Sequence, residues 1–531
     1  MRILRMPTLT SSRTLSPYHN WTRDDLIARL NKLDPKNVLI QAKKDADSEV
    51  FAFSSHPRRK IALKFCYAGS EYNGLAFQKD YTPLPTVEGV LFDALARTRL
   101  IDPEKGFEGC QWERCGRTDR GVSAAGQVIS LWVRSALGFS NLQEPVHADE
   151  PPLHNIASSD LPPDEECNDD LPLMTDLDPP FSSCVQPSPA ASSTATEIPY
   201  IQVLNRVLPS TIRVICWSPV SDTFSARFSC RFRHYKYFFP ASPDLDISRV
   251  RDGAARLVGT HDFRNLCTLD GSKQIENYNR TIHRAEISLV GLDESDMDAG
   301  AMYVLDLVGN AFLYNQVRSI MAILFLVGSG LEEPHIISFL LNVDSHNPLP
   351  PFRPGEPTHV VDRKPSYQIA DGLPLVLWDC GYSDEETRWQ TDGEAFISSS
   401  SLTDKETSMT TNLRHQMFSV YTRSRIHATL NGHFLQAAAR HHPIPSTPLP
   451  LSSSEKDLTL LHSQKMILNI PVGGGSYIRT AKYKPLLTRE RGESAEVVNE
   501  RWRNGRGKKR LAERLAKQEQ PSSAQLEDGN E

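Results

Sequence analysis

Closely paired cysteines are what this sequence most clearly lacks. Its nine cysteines are scattered, odd in number and without a C-x-x-C pair, which excludes a disulfide-stapled secreted scaffold and provides no zinc-finger spacing. We therefore expect reduced thiols in an intracellular protein. Cys110 and Cys115 are the nearest two, but two thiols do not make a metal site, so we interpret them as small buried residues. No metal ligand set is predicted.

Long hydrophobic runs are also missing. The most apolar run, residues 320–327, is far shorter than the roughly 20 residues that span a bilayer. No membrane partner is expected. The 531 residues, with 39% hydrophobic and 23% charged side chains, can bury a large core. The 37 prolines indicate that sizeable disordered segments accompany it.

Lysine and arginine are absent from residues 141–197, which hold 12 acidic side chains and many Pro, Ser and Thr residues. This composition predicts a disordered acidic insertion. A sharper alternative is an acidic mimic of RNA that covers a basic face. Without the segment, the net charge changes from −6 to +6, so the folded remainder is basic, as an RNA-binding body should be.

Acidic residues are absent from the first 23 positions, which carry four arginines. A disordered tail and a mitochondrial presequence both fit this composition. We expect a protein of the nucleus and cytoplasm, with mitochondrial targeting left open. Residues 21–33 predict an amphipathic helix with Thr22 as its cap.

A hexapeptide, G-R-T-D-R-G, occupies residues 116–121. Residues 107–115 and 127–133 are expected to be strands, which makes the hexapeptide a loop between them. It presents the Asp119 carboxylate between Arg117 and Arg120. A polar turn explains these residue types, because Gly supplies positive φ and Asp bonds its own backbone. A reactive group presented on a rigid sheet is the functional alternative.

Aromatic and basic residues alternate densely over residues 221–239. A half-buried strand explains much of this pattern. The density of cations beside aromatics also fits a groove that holds phosphates and stacks a base. The candidate residues for such a groove are Tyr235, Arg227 and Arg231.

One charge, Arg318, interrupts the otherwise uncharged residues 311–331. The spacing of Leu313, Val317, Ile320 and Leu324 predicts a helix. An arginine on such a helix must either reach solvent or meet a carboxylate, because an unpaired buried charge is costly.

Together with its neighbours, the sequence C-G-R-T-D-R-G-V-S-A resembles the catalytic loop of the TruA family of tRNA pseudouridine synthases, in its eukaryotic tRNA pseudouridine(38/39) branch. Further stretches resemble that family in the right order over residues 58–382: A-G-S-E-Y-N-G, F-S-A-R-F-S with R-H-Y-K-Y, G-T-H-D-F, G-N-A-F-L-Y-N-Q-V-R-S-I, and R-K-P-S-Y.

The resemblance implies an α+β pseudouridine synthase fold, with two ferredoxin-like halves whose antiparallel sheets join and flank a central cleft. It implies a cofactor-free isomerase, a homodimer, that acts on the tRNA anticodon stem-loop at uridines 38 and 39. Asp119, Tyr235 and Arg318 would be catalytic, with Arg318 paired to Asp119. Substrate contacts would come from Arg117, Tyr235, Arg227, Arg231, Asn310 and Phe312.

Two other functional classes were weighed against the isomerase. A catalytically inactive tRNA-binding chaperone would keep the basic aromatic groove but would not need Asp119. A scaffold protein would need partner motifs in the acidic insertion, and none is visible there.

The expected ion pair and domain boundaries complete these predictions. Guanidinium nitrogens of Arg318 should lie within hydrogen-bond reach of Asp119, at about 2.7–3.2 Å, and should hold that carboxylate ionised. The predicted segments are an N-terminal extension (1–57), an N-terminal catalytic half (58–140), the insertion (141–198), a C-terminal catalytic half (199–382), a low-complexity linker (383–470) and a basic C-terminal extension (471–531).

Overall fold

A computed structural model describes residues 51–137, 197–291, 301–392, 404–442, 448–451 and 466–509. Residues 51–56 form a separate small unit with one 3-10 turn, and the main body begins at Pro57. The expected helix over 21–33 and most of the acidic insertion lie outside the described residues. Within the described ranges, no helix combines the length and apolar character needed to cross a membrane.

Strands and helices alternate in the first part of the body. Its elements are β1 (Arg58–Tyr67), α1 (Val87–Arg97), α2 (Gly106–Gly109), β2 (Glu113–Arg114), β3 (Ser123–Arg134), α3 (Tyr200–Val207) and β4 (Ile212–Pro219).

The expected strand over residues 107–115 is wrong for most of its length. The chain forms the short helix α2 there, and only Glu113–Arg114 pair with β3. The reason is local, because Gly106 and Gln111 both have positive φ, at 60° and 50°, and turn the chain out of an extended path. The G-R-T-D-R-G loop is therefore preceded by a compact turn.

The second part of the body also contains both strands and helices. Residues 232–239 of the aromatic and basic stretch lie in a strand, which confirms the half-buried strand predicted for part of that stretch. The elements are β5 (Phe232–Pro240), α4 (Ile247–Ala255), β6 (Gly259–Asp262), β7 (Asn279–Val290), β8 (Met302–Gly309), α5 (Gln316–Gly328), α6 (Ile336–Leu341) and β9 (Leu375–Gly381).

One nine-stranded mixed sheet unites the two halves. Its order is β4-β1-β3-β9-β5-β8-β7-β6, with β2 beside β3. All strand pairs are antiparallel except β3 with β9, which are parallel at two residue pairs, Ser123 with Val376 and Ala124 with Leu377. The two strands at this join are therefore parallel, and the join lies directly after the G-R-T-D-R-G loop.

Helix α5 is the central packing element of the second half. Every residue of it is buried except Arg318, as expected for a helix that is apolar all round. By contrast α1 is amphipathic: Thr86 accepts a hydrogen bond from the Gly89 amide at 3.2 Å and so caps its start, while Leu91 and Leu95 face the core.

Glu197 fixes the point where the chain re-enters the body after the insertion. Its carboxylate pairs with Arg59 at 2.7 Å and accepts hydrogen bonds from the Ser135 hydroxyl and the Ala136 amide. Burial opposes ionisation of this carboxyl, but the hydrogen bonds from the Ala136 and Ile198 amides, with Arg59 and Ser135, lower its pKa below the ordinary value. Both borders of the insertion are thus tied together at one carboxylate.

Part of the predicted linker and basic extension is built into the body. It contains α7 (Asp404–Ala439), β10 (Leu468–Gly473), β11 (Ser476–Thr480) and α8 (Ala495–Trp502). The Asp371 amide donates to the Val472 carbonyl at 2.7 Å, and the Tyr483 hydroxyl donates to the half-buried Glu332 carboxylate at 2.6 Å. The C-terminal residues therefore support the loop that precedes β9.

Candidate active site

The G-R-T-D-R-G loop lies between β2 and β3 and is held from the first strand of the sheet. The Thr118 hydroxyl shares a 2.5 Å hydrogen bond with the Tyr67 hydroxyl, and the Thr118 carbonyl accepts from the Leu75 amide at 3.2 Å. The Asp119 carbonyl accepts from the Val122 amide at 3.1 Å. With its backbone fixed on both sides of the carboxylate, Asp119 has a defined position.

Gly74 allows the loop that contains it to lie directly against the G-R-T-D-R-G loop. Its φ is 88°, which favours glycine, and a Cβ at this position would come within 3.1 Å of the Thr118 carbonyl oxygen. The second glycine of the A-G-S-E-Y-N-G stretch is therefore required, because the two backbones approach each other closely there.

Arg318 reaches the site from the first turn of α5. The helix begins at Gln316, after Asn315 in the left-handed conformation with φ 58°. The Nε of Arg318 donates to the Ala370 carbonyl at 2.8 Å, and its Nη1 donates to the Asn315 carboxamide oxygen at 3.3 Å. The guanidinium and the positive end of the helix dipole therefore share one end of the helix.

The structure brings Asp119 and Arg318 together, but not at the expected distance. Arg318 Nη1 lies 3.8 Å from Asp119 Oδ2, an ion-pair separation that is longer than a hydrogen bond. The prediction of a direct hydrogen bond is therefore wrong. The reason is that Ala370 and Asn315 already hold the guanidinium from the side.

The pKa of Asp119 also differs from the expectation. Burial raises the pKa of its carboxyl above the ordinary value, and the opposite charge of Arg318 lowers it by less. The side chain is 31% exposed and that of Arg318 is 19% exposed. The positive charge of Arg318 therefore reduces the rise in the Asp119 pKa that burial causes, but it does not cancel that rise.

Tyr235 lies on β5 and is buried, with its ring 4.9 Å from that of Phe312 in an edge-to-face arrangement. Burial raises the pKa of the Tyr235 phenol far above its ordinary value. A phenolate at this position is therefore disfavoured, and the neutral hydroxyl is the form available for hydrogen bonding.

These residues line one cavity of about 670 Å³. Arg117, Tyr235 and Phe312 line it as well as Asp119 and Arg318. Asn73, Gln78 and Asn315 also line it, although no role is predicted for them from the sequence. Its charged lining residues are Arg117, Asp119, Arg120, Asp270, Lys273 and Arg318. Four cations against two carboxylates make the cavity suitable for a polyanion.

Arg233 is a further residue to which the sequence assigned no specific role. Its guanidinium donates to three backbone carbonyls, those of Asn310 at 2.8 Å, Cys115 at 3.0 Å and Arg227 at 3.1 Å. One side chain thus ties the G-N-A-F segment, the start of the catalytic loop and the F-S-A-R-F-S segment together. Its position two residues before Tyr235 in R-H-Y was the available signal.

Three predicted substrate-binding residues lie outside the lining of this cavity. Arg227 is exposed, with its guanidinium 5.1 Å from the ring centre of the exposed Phe228. Arg231 is exposed, and its amide donates to the Gly381 carbonyl at 2.8 Å. Asn310 uses its side-chain oxygen to accept from the Ala311 amide at 2.7 Å. Contacts of these residues with a larger ligand stay a prediction.

A family model described as tRNA pseudouridine synthase matches residues 254–383, which include Arg318 and β9. The chain is 36% identical over 402 residues to the tRNA pseudouridine(38/39) synthase of Saccharomyces cerevisiae, covering 71% of this chain and 74% of the relative.

Human and archaeal proteins extend the similarity. Identity to the human tRNA pseudouridine(38/39) synthase is 39% over 391 residues, covering 70% of this chain and 68% of the relative. Identity to the tRNA pseudouridine synthase A of Methanothrix thermoacetophila is 30% over 335 residues, covering 63% of this chain and 86% of the relative.

Proposed function

This chain belongs to the TruA-type tRNA pseudouridine synthase family, and from that premise we propose that it isomerises uridine to pseudouridine at positions 38 and 39 of tRNA. The observation that carries the proposal is the Asp119–Arg318 pair on the wall of a cavity lined by four cations. A tRNA-binding chaperone would have use for the cations, but it would not require a partly buried carboxylate whose ionisation is costly.

The reaction rearranges bonds without any change of oxidation state. The glycosidic bond from C1′ to N1 breaks, the uracil rotates, and C1′ bonds to C5. The proton on C5 leaves, and N1 ends with a proton. A single carboxylate suffices as the nucleophile at such a centre, and we assign that role to Asp119. The proposal leaves open whether its oxygen attacks the sugar or the base.

Access to the uridine requires that the base leave its stack. Arg117, exposed two residues before Asp119, is placed to occupy the vacated space and to hold phosphate. Tyr235 and Phe312 line the cavity with aromatic side chains against which an extruded uracil would pack. Their location beside the carboxylate supports these roles.

The positive end of α5 complements this arrangement. Gln316, Val317 and Arg318 line the cavity in the first turn of the helix, where unpaired amides and the dipole favour negative charge. Arg318 therefore reduces the cost of an ionised Asp119, while the Ala370 and Asn315 contacts hold its guanidinium in place.

The same family membership supports a finer account of the fold and assembly. The first half contains a β-α-β-β-α-β succession with the sheet order β4-β1-β3-β2. The second half has the same succession and the sheet order β9-β5-β8-β7, with the extra strand β6 beside β7. This repeat supports two ferredoxin-like halves. We also propose a homodimer that binds the anticodon stem-loop, with Arg227 and Arg231 contacting RNA beyond the cavity.

Site-resolved pseudouridine mapping tests the function. Purified protein incubated with unmodified tRNA transcripts, without cofactors, is expected to produce pseudouridine at uridines 38 and 39. Transcripts with cytidine at both positions serve as the substrate control. Modification confined to other positions would refute the site assignment, and no modification of any tRNA would refute the function.

Tyr235→Phe is expected to slow turnover by about 10²-fold, because a hydroxyl placed for proton transfer contributes on that order. Binding of tRNA should change little, since the ring stays. Single-turnover rates and filter-binding affinities distinguish the two effects. Tyr314→Phe is the matched control, because Tyr314 lines the same cavity but is 49% exposed. Equal rates for both variants would reduce Tyr235 to a packing residue.

A further inference from the structure

Three cysteines that are distant in sequence meet beside the catalytic loop. The Sγ atoms of Cys115, Cys230 and Cys380 all lie within 4.8 Å of one another, and the residues are 2%, 9% and 2% exposed. Cys115 directly precedes the G-R-T-D-R-G loop, Cys230 directly follows the F-S-A-R-F-S segment, and Cys380 is in β9. The proposed isomerisation makes no use of any of the three thiols.

The separation of the sulfurs suits a single central ion. Thiolates bound at about 2.3 Å to one ion in a regular arrangement lie roughly 4 Å apart. Side-chain shifts of a few tenths of an ångström each would therefore bring the sulfurs from the observed limit of 4.8 Å to that separation. All three belong to rigid surroundings, because Cys115 and Cys380 flank the β3–β9 join and the Cys230 Sγ donates to the Phe232 carbonyl at 3.2 Å.

The charge around the cluster fits a thiolate-bound cation. Buried thiolates are stable only with positive charge beside them. A bound cation supplies most of it, and the Arg233 guanidinium, 3.0 Å from the Cys115 carbonyl, supplies more. A cation bound by three thiolates keeps a net negative charge, which this neighbouring arginine offsets.

The donor set selects the kind of cation. Across the described residues, no histidine, aspartate or glutamate joins the three sulfurs. Structural zinc almost always takes four protein ligands, whereas soft thiolates alone select soft ions such as Cu(I). We propose that Cys115, Cys230 and Cys380 bind one soft d10 cation of the Cu(I) type through three thiolates.

Such an ion would join three segments that surround the active site. Binding to the folded chain alone stabilises it by mass action. The expected consequence is a higher melting temperature and a catalytic loop with a more rigid start, without any part for the ion in the isomerisation itself. The site is thus independent of the proposed function, and its failure would leave that function untouched.

Anaerobic titration of the reduced full-length protein with Cd²⁺ is the test, since cadmium–thiolate bonds give an ultraviolet charge-transfer band. The band is expected to saturate at one equivalent per chain and to disappear in Cys230→Ala and Cys380→Ala. Cys110→Ala is the control, because Cys110 is buried five residues before Cys115 but lies outside the cluster. It should retain the band.

Loading the wild-type protein with Cu(I) keeps the proposal testable even if a variant fails to fold. X-ray absorption should give three sulfur neighbours and no nitrogen or oxygen, and the melting temperature should rise. A band that survives both cluster substitutions, the absence of a one-equivalent end point, or nitrogen or oxygen in the coordination sphere would overturn the site.

Discussion

Asp119→Asn is expected to lower pseudouridine formation by at least about 10⁴-fold, the order found when a nucleophile is removed. The amide keeps the shape of the side chain but cannot act as a nucleophile. Affinity for tRNA should stay within a few-fold, because phosphate contacts supply most of the binding free energy. Single-turnover assays on a defined transcript, with affinities measured in parallel, separate these effects.

Asp270→Asn is the matched control for this experiment. Asp270 is the second carboxylate that lines the cavity, and its side chain accepts a hydrogen bond from the Ser272 amide at 2.9 Å. It should retain most of the activity. Pseudouridine formed at the wild-type rate by Asp119→Asn would remove Asp119 from the chemistry, whatever the control does.

The stability of the same variant gives an independent check. Burial raises the pKa of Asp119 in the folded protein, and the positive charge of Arg318 opposes that rise only in part. A raised carboxyl pKa means that stability is lost as pH rises from the unfolded pKa through the folded one. At neutral pH the ionised Asp119 therefore costs stability, and Asp119→Asn should melt at a slightly higher temperature than the wild type. A lower melting temperature would contradict this account of the site.

Arg318→Ala is expected to lower the rate by about 10²–10³-fold, the loss typical of removing one preorganised electrostatic contact. Without the guanidinium, the pKa of Asp119 should rise further, because burial still raises it and no opposite charge lowers it. The acid limb of the pH profile of kcat/KM should then move to higher pH. Arg318→Lys should rescue the rate only in part, since an ammonium lacks the planar fork that bonds Ala370 and Asn315.

Arg120→Ala separates this effect from a general loss of positive charge. Arg120 follows Asp119 and lines the cavity, but it is exposed. Its removal should weaken tRNA binding and leave the acid limb in place. If Arg318→Ala left the pH profile of kcat/KM unmoved, Arg318 would be a phosphate-binding residue and not a partner of Asp119.

Local patterns in the sequence determined most of the element positions. The strand expected over 127–133 lies within β3, and the apolar spacing between Leu313 and Leu324 predicted α5. These predictions succeeded because strand period and helix period depend on near neighbours. The prediction of a strand over 107–115 was wrong because side-chain patterns do not report the backbone path. The side chains suit a strand, but Gly106 and Gln111 adopt positive φ.

The motifs also determined which side chains to examine. Asp119, Arg117, Tyr235, Phe312 and Arg318 were chosen from the sequence, and the structure places all five on one cavity. The oddity of a charge in an apolar segment was enough to single out Arg318. Its geometry was not accessible, because the separation from Asp119 depends on which carbonyls hold the guanidinium.

Only the tertiary structure decided the contacts between distant segments. Arg233 bonds the carbonyls of Cys115 and Asn310, which are 118 and 77 residues away, and three cysteines from separate segments share one buried space. No local period encodes such meetings, because they follow from the sheet order that sets β3 beside β9 and β9 beside β5. The sequence by itself determined the chemical groups of the site, and the order of the strands decided their distances, their burial and hence their charge states.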